Sequence, residues 1–238
     1  MLKRCVWILL VIMLAACSRN KVELNPENKM AKADDLFTRK KYARAAELYD
    51  DITFERKSTR SAIALMKLAD TYFRMNKFTD SRLKYIQMTN TYPDFEDIET
   101  AYFRIGVCYF EESLPPQYDQ TETAQCIEAF RVFVDKFPNS RYFLEAVDYI
   151  RKAQYKLIEK KYYNGYIYYK MKDYSSALMY FKEIIELGNT DKLDRKALYY
   201  ATRISLAQNN QEDANNYLQR LRQRYPNSKE LIKLEKLF

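Results

Sequence analysis

Residues 162–181 read YYNGYIYYKMKDYSSALMYF and contain two spaced pairs of positions. Gly165 is followed three residues later by Tyr168, and Ala177 is followed four residues later by Phe181. The second pair, a small residue and then an aromatic residue or leucine, recurs at Ala45/Tyr49, Ser81/Tyr85, Cys126/Phe130 and Ala214/Leu218. Successive copies are 36 to 51 residues apart. A period in this range indicates a repeat architecture, in which each unit stacks on its neighbours because it cannot bury its apolar face alone.

The first pair also recurs, and a breaker residue closes most copies. It is found twelve residues before the small position at Ala33/Leu36, Ala69/Tyr72 and, more weakly, Thr202/Ser205. In the third copy, Gly106/Tyr109, the distance from Gly106 to Cys126 is 20 residues, so about eight extra residues form a loop around 114–117, where Pro115-Pro116 forbids a continuous helix. The closing breakers are Pro93, Pro138, Gly188-Asn189 and Pro226. Each copy therefore predicts two antiparallel helices.

From about residue 27 to residue 226 this pattern resembles the tetratricopeptide repeat. We therefore expect an all-α solenoid of five helix pairs, about ten helices, and a C-terminal helix, following a cleaved signal peptide. An uninterrupted helical pattern from about Arg141 to Lys172 predicts one helix of about 48 Å at 1.5 Å per residue, joining the third and fourth pairs.

The composition excludes most enzyme classes. The 238 residues include no histidine, which removes the commonest general base and zinc ligand. The three glycines are far apart, so no Gly-rich phosphate loop can form. The net charge is +8, but basic and acidic residues alternate along the chain, whereas a nucleic-acid binder concentrates its basic residues. We expect neither an enzyme nor a nucleic-acid binder, and no metal site.

The amino terminus has the pattern of a bacterial lipoprotein signal peptide, residues 1–16. Lys3 and Arg4 precede an 11-residue apolar run, which is too short to remain as a membrane-spanning helix. Residues 14–17 read LAAC and resemble the box that is cleaved before a lipidated cysteine. The resemblance implies that Cys17 carries a diacylglycerol and an acyl chain, the only non-protein groups expected, and that 17–26 is a linker. Several acyl chains on one residue anchor a protein stably to a membrane. Ser18, a non-acidic residue after the cysteine, resembles the lipoprotein sorting pattern for outer-membrane delivery, and this resemblance implies the periplasmic face of the outer membrane.

The repeats, the lipid signal and the endings FPNS (137–140) and YPNS (225–228) together resemble one family, that of the outer membrane protein assembly factor BamD. The resemblance implies a non-enzymatic subunit of the β-barrel assembly machinery. Its implied partners are the periplasmic domains of a BamA-like barrel protein, other subunits of the complex and unfolded outer-membrane precursors. Residues 27–140, repeats 1–3, become the expected client-binding half, and residues 141–238 become the expected docking half.

In tetratricopeptide grooves, ligands contact the first helix of each pair beside its small residue. Counted from Ala33, Ala69 and Gly106, these positions give the candidate client groove: Met30, Asp34, Phe37, Ile63, Met66, Asp70, Phe73, Arg74, Phe103 and Phe110.

Several alternatives stay open. A different lipid-anchored tetratricopeptide adaptor, coordinating cell-envelope or division proteins, fits the same pattern, and a glycan-binding lipoprotein is a third class. Cys108 and Cys126 are expected as two buried free thiols, with a disulfide between them as the alternative in an oxidising compartment.

Overall fold

A computed structural model describes residues 26–54 and 57–237 and contains eleven helices in these ranges. In chain order they are α1 Pro26–Thr38, α2 Tyr42–Thr53, α3 Thr59–Arg74, α4 Phe78–Thr91, α5 Ile98–Glu112, α6 Thr121–Lys136, α7 Phe143–Lys170, α8 Tyr174–Glu186, α9 Lys192–Ala207, α10 Gln211–Arg224 and α11 Lys229–Leu234. Helices α1 to α10 form the five predicted pairs, and α11 is the predicted C-terminal helix. The all-α solenoid prediction is confirmed. The predicted signal peptide, linker residues 17–25 and Cys17 lie outside the described residues.

The turn inside most pairs depends on one residue in the left-handed backbone region. Lys40, Asn76, Lys172 and Asn209 have φ of 58°, 57°, 63° and 58°, and each lies between the first and second helix of its pair. A single residue with positive φ reverses the chain after a helix in the way a C-terminal glycine does. The third pair instead has a longer loop, at the place where the sequence predicts an insertion.

The repeated small residues are the points of closest approach between paired helices. Ala33, Ala69, Ala177 and Ala214 are completely buried, as are the aromatic rings of Tyr85, Phe130 and Phe181. A Cβ atom added to Gly106 would lie 2.7 Å from the Phe130 ring, and one added to Gly165 would lie 3.0 Å from Phe181. The second-helix aromatic ring therefore fills the space that the small residue leaves open.

Four apolar clusters lie at successive positions along the solenoid, each between adjacent helix pairs. The cluster of pairs one and two contains Tyr49 and Leu68, and the cluster of pairs two and three contains Tyr85 and Cys108. Phe103 and Phe130 belong to the third cluster, which includes the first half of α7. The fourth includes Tyr162 from the second half of α7 and extends to α11. Each pair thus completes its core with its neighbour, as the repeat pattern predicts.

The predicted long helix is confirmed as continuous, with 28 residues from Phe143 to Lys170 in place of the expected 32. It contacts both α5 and α9, the first helices of the neighbouring pairs. First helices therefore line one side of the solenoid, and that side carries the candidate groove.

Cys108 and Cys126 are both buried free thiols. The favoured prediction is thus confirmed, and the alternative of a disulfide between them is wrong.

Candidate functional site: the inner cleft of the first two helix pairs

The first two pairs enclose a cleft of about 280 Å³ between their first helices, α1 and α3. We call it the inner cleft. Its walls are Asp34, Phe37 and Thr38 from α1, Tyr49 from α2, and Lys67 and Asp70 from α3. Asp34, Phe37 and Asp70 belong to the predicted candidate groove, and the structure brings these three together.

Two equivalent aspartates are fixed by equivalent tyrosines. The Tyr49 hydroxyl donates a hydrogen bond to Asp34 Oδ1 at 2.5 Å, and the Tyr85 hydroxyl donates to Asp70 Oδ1 at 2.6 Å. Each aspartate directly follows the small residue of its first helix, and each tyrosine follows the small residue of its second helix by four positions. The repeat therefore places the same carboxylate and phenol in the same geometry twice.

The tyrosines remain neutral donors over the physiological pH range. Burial is the main cause that raises the pKa of both Tyr49 and Tyr85, and the adjacent carboxylates, Asp34 and Asp70, raise it further. A phenol that keeps its proton holds the carboxylate oxygen in one orientation. In both pairs this bond occupies Oδ1 of the aspartate.

Lys67 joins the two pairs across the inner cleft. Its Nζ atom lies 2.6 Å from Asp34 Oδ1, and both side chains are about 40% exposed. With one ammonium and two carboxylates the wall has a negative excess, beside the half-buried ring of Phe37. Carboxylate oxygens accept hydrogen bonds from amide N–H groups, and the ring offers an apolar contact. The inner cleft is therefore suited to an extended polypeptide with an apolar side chain.

Further candidate residues continue along the same side of the solenoid. Phe73 is half-buried, meets Phe78 edge to face at 5.2 Å and lies 5.3 Å below the Arg104 guanidinium. Phe110 is half-buried against Tyr149, with a centroid distance of 5.0 Å. Together with Phe37 these rings occupy the position four residues after each small residue, and all three remain partly accessible.

The candidates one turn earlier on each helix have a different environment. Phe103 is only 3% exposed and stacks on Tyr142 at 4.5 Å, because the chain entering α7 covers it. Met66 is 8% exposed and lies in the cluster of pairs two and three. The prediction that Phe103 and Met66 lie on the groove surface is therefore wrong, because both are core residues. Met30 is half-buried against the first cluster. Ile63 and Arg74 are exposed on the same face of α3 as Lys67 and Asp70, but they are not among the residues that line the inner cleft.

Sequence reasoning missed Lys67 and Thr38, and it identified Tyr49 only as the aromatic position of its repeat. The repeat period contains the signal for Lys67. Asp70 lies one period of 36 residues after Asp34, and Lys67 lies three residues, about one helical turn, before Asp70 on the same face of α3, so an acid and a base on adjacent first helices form a pair.

Within the described residues, no group of His, Cys, Asp and Glu side chains has the arrangement of a metal site. Nor does any helix in the described part of the chain have both the length and the apolar character needed to cross a bilayer.

Comparison with known proteins agrees with this architecture. A family model of the tetratricopeptide repeat matches residues 196–228, which are α9 and α10. The helix pairs and this match define the chain as a tetratricopeptide-repeat solenoid. A second family model, YfiO, described as outer membrane lipoprotein, matches residues 25–193. Since this match covers well over half of the sequence, the chain belongs to that outer membrane lipoprotein family.

Two relatives carry the same protein name. The outer membrane protein assembly factor BamD of Rickettsia prowazekii is 26% identical over 195 residues, which cover 82% of this chain and 78% of the relative. The outer membrane protein assembly factor BamD of Caulobacter vibrioides is 26% identical over 128 residues, covering 54% of this chain and 42% of the relative. Among solved structures, the TPR2AB-domain:pHSP90 complex of yeast Sti1 aligns with a TM-score of 0.47 at 13% identity, covering 87% of this chain and 80% of that chain.

Proposed function

We propose that the chain is a non-enzymatic, lipid-anchored subunit of an outer-membrane β-barrel assembly complex. In this role it receives segments of unfolded barrel precursors in the inner cleft and attaches to a BamA-like barrel protein through its later repeats. Membership of the outer membrane lipoprotein family and the two relatives named as BamD support the assembly role. The anchor is Cys17, and the protein faces the periplasm.

The inner cleft is the observation that carries the client-binding part of this proposal. Its fixed carboxylates suit the amide N–H groups of an unfolded chain, which lacks internal partners for them. The ring of Phe37 suits an apolar side chain of the same segment. Because main-chain groups and one apolar contact provide the recognition, the inner cleft accepts precursors of different sequence.

Client binding is tested by two substitutions in the inner cleft and two matched controls. Phe37→Ala removes the apolar wall, and Asp70→Asn removes a negative charge but keeps an oxygen that accepts the Tyr85 hydrogen bond. Leu144→Ala and Asp135→Asn are the controls, since both side chains are exposed outside the inner cleft. Binding of a labelled, urea-released barrel precursor is measured by fluorescence anisotropy, together with far-UV circular dichroism.

We expect at least threefold weaker binding for each cleft variant, unchanged binding for the controls and unchanged helicity for all four. Equal affinity of the parent and both cleft variants contradicts a client site in the inner cleft.

The assembly role has its own test. The tagged lipoprotein is purified from native membranes in mild detergent, and stoichiometric partners are identified by mass spectrometry. Recovery of a barrel protein with periplasmic repeat domains is the expected result. Recovery of division or peptidoglycan proteins in its place supports the adaptor alternative and overturns the assembly role.

The anchor is tested by Cys17→Ala. We expect this variant to be released from outer-membrane fractions, and retention of the unlipidated variant in those fractions contradicts the proposed anchor.

A further inference from the structure

The first helices of the last two pairs form a tyrosine-rich surface. Tyr162, Tyr166 and Tyr169 follow one face of α7, and Lys196, Tyr199, Tyr200 and Arg203 follow one face of α9, at the i, i+3, i+4 and i+7 spacing of a helix. Tyr200 lies at its centre, with its ring centroid 4.8 Å from that of Tyr169 and 5.6 Å from that of Tyr166. Tyr162 is only 8% exposed and belongs to the fourth apolar cluster, so it forms the floor beneath the other six residues. We call these seven residues the tyrosine surface.

A cation lies over a ring at each end of the tyrosine surface. Lys196 Nζ is 4.9 Å from the centroid of Tyr162, and the Arg203 guanidinium carbon is 5.7 Å from the centroids of both Tyr169 and Tyr199. Tyr162 and Lys196 are 34 residues apart, as are Tyr169 and Arg203, which is the 37-residue period of the last two copies less three residues, so the same offset aligns both cation–ring pairs. Rings beneath a cation hold its side chain in place and leave the outer side of the charge open.

Neither cation has a carboxylate partner among the described residues. Arg203 donates a hydrogen bond to the Tyr199 hydroxyl at 3.3 Å, and no Asp or Glu of the described chain forms an ion pair with it or with Lys196. Glu230, the carboxylate whose charge acts on Lys196, is paired with Arg195 at 3.0 Å. Burial is the main cause that lowers the pKa of Lys196, and the neighbouring Lys192 lowers it further. A partner protein that supplies carboxylates gives Lys196 and Arg203 the ion pairs that the described chain does not provide.

We propose that the tyrosine surface binds an acidic segment of a partner protein, in which two carboxylates flank an apolar side chain. Seven residues separate Lys196 from Arg203, which is about 10.5 Å along a helix at 1.5 Å per residue. The complementary ligand is a helix with acids at i and i+7 and apolar residues at i+3 and i+4, since opposite charges and a central apolar contact fix its register. The proposal depends on the proposed function only for the identity of the partner, which is the protein on which the later repeats dock.

The probe is a synthetic helical 16-residue peptide with Glu at positions i and i+7 and Leu at i+3 and i+4. Its control has Gln at both acidic positions. The protein variant is Lys196→Gln with Arg203→Gln, and the matched control is Arg131→Gln with Arg151→Gln, which removes two exposed positive charges elsewhere. Binding is measured by fluorescence anisotropy at low and high salt.

We expect the double variant on the tyrosine surface to weaken binding of the Glu peptide at least tenfold, and the matched control to leave it within twofold. High salt is expected to weaken binding to the parent and not to the variant, because screening removes the charge contribution. Equal affinity of the parent and the Lys196→Gln/Arg203→Gln variant overturns the proposal, as does equal affinity for the Glu and Gln peptides.

The same variants are carried into the native-membrane purification. A parent protein that binds the Glu and Gln peptides equally and still co-purifies with a barrel protein refutes the tyrosine surface and leaves the assembly role in place. Peptide binding that depends on both cations, in a protein that recovers no barrel partner, supports the tyrosine surface and refutes the assembly role.

Discussion

Gly106 provides a quantitative test of how the helix pairs pack. An alanine there gains about 1 kcal/mol of helix propensity relative to glycine in a helix interior. Its Cβ atom, however, lies 2.7 Å from the Phe130 ring, well inside van der Waals contact. Phe130 is completely buried, stacks on Tyr149 at 5.0 Å and contacts Phe103 at 5.6 Å, so the ring cannot move away cheaply.

Overpacking of a core typically costs about 1–3 kcal/mol, and the fixed ring places Gly106→Ala in the upper part of that range. After the propensity gain is subtracted, we expect a net loss of about 1–2 kcal/mol in the free energy of unfolding. The measurement is urea denaturation followed by far-UV circular dichroism. Gly165→Ala is the matched comparison, and its smaller loss follows from the 3.0 Å distance to Phe181.

A double-mutant cycle with Phe130→Leu separates overpacking from other effects. If the alanine clashes with the ring, Phe130→Leu costs less in the Gly106→Ala background than in the parent, because the smaller side chain relieves the clash. A Gly106→Ala variant as stable as the parent, or additive effects in the cycle, refutes the argument that glycine is needed for close approach.

Burial and backbone geometry give four further predictions. Burial raises the pKa of Cys108 to about 11 and of Cys126 to about 12. Both thiols are therefore expected to resist iodoacetamide in the native protein at pH 8 and to react with it in urea. Rapid alkylation of the native protein contradicts their burial. The same pKa shifts make the free energy of unfolding fall as pH rises above about 9, because the unfolded chain loses thiol protons that the folded chain retains. Denaturation midpoints that stay constant from pH 8 to 10.5 refute this pH dependence. Asp194→Ala removes the fully buried partner of Arg224 and of the Tyr225 hydroxyl, and is expected to cost about 3–5 kcal/mol of unfolding free energy, whereas the same change at the half-buried Asp213 costs about 1 kcal/mol or less. Lys172→Gly relieves the positive φ of a lysine and is expected to raise stability by about 0.5–1 kcal/mol, while the same change at the helical Lys170 lowers it.

The helix pairs could be predicted from the sequence because the two helices of every pair pack closely in the same way. A small residue facing an aromatic ring is required wherever two helices approach closely, so the spacing of Ala177 and Phe181 identifies the pair without knowledge of its neighbours. The double proline at 115 and 116 located the one irregular pair, since a proline ring excludes a continuous helix.

The exposure of individual groove residues was less predictable, because it depends on how one pair is rotated on the next. Phe37 and Phe103 both flank a small residue on a first helix, yet Phe103 is buried since the segment before α7 stacks Tyr142 on it. Likewise Lys40 and Lys172 carry no sequence signal of a left-handed conformation, which glycine and asparagine adopt more readily. The exposure and the backbone conformation of such residues depend on their neighbours in the folded chain and not on the local sequence.

Helix α7 also determines how the molecule transmits force. Its first half is part of the third apolar cluster and its second half is part of the fourth, without a break in the backbone between them. A load applied to the later repeats therefore reaches the third pair through a continuous helix of about 42 Å at 1.5 Å per residue. Pairs one and two are joined to the third pair by the segment 92–97 and by the apolar cluster of pairs two and three, with no continuous helix across that junction.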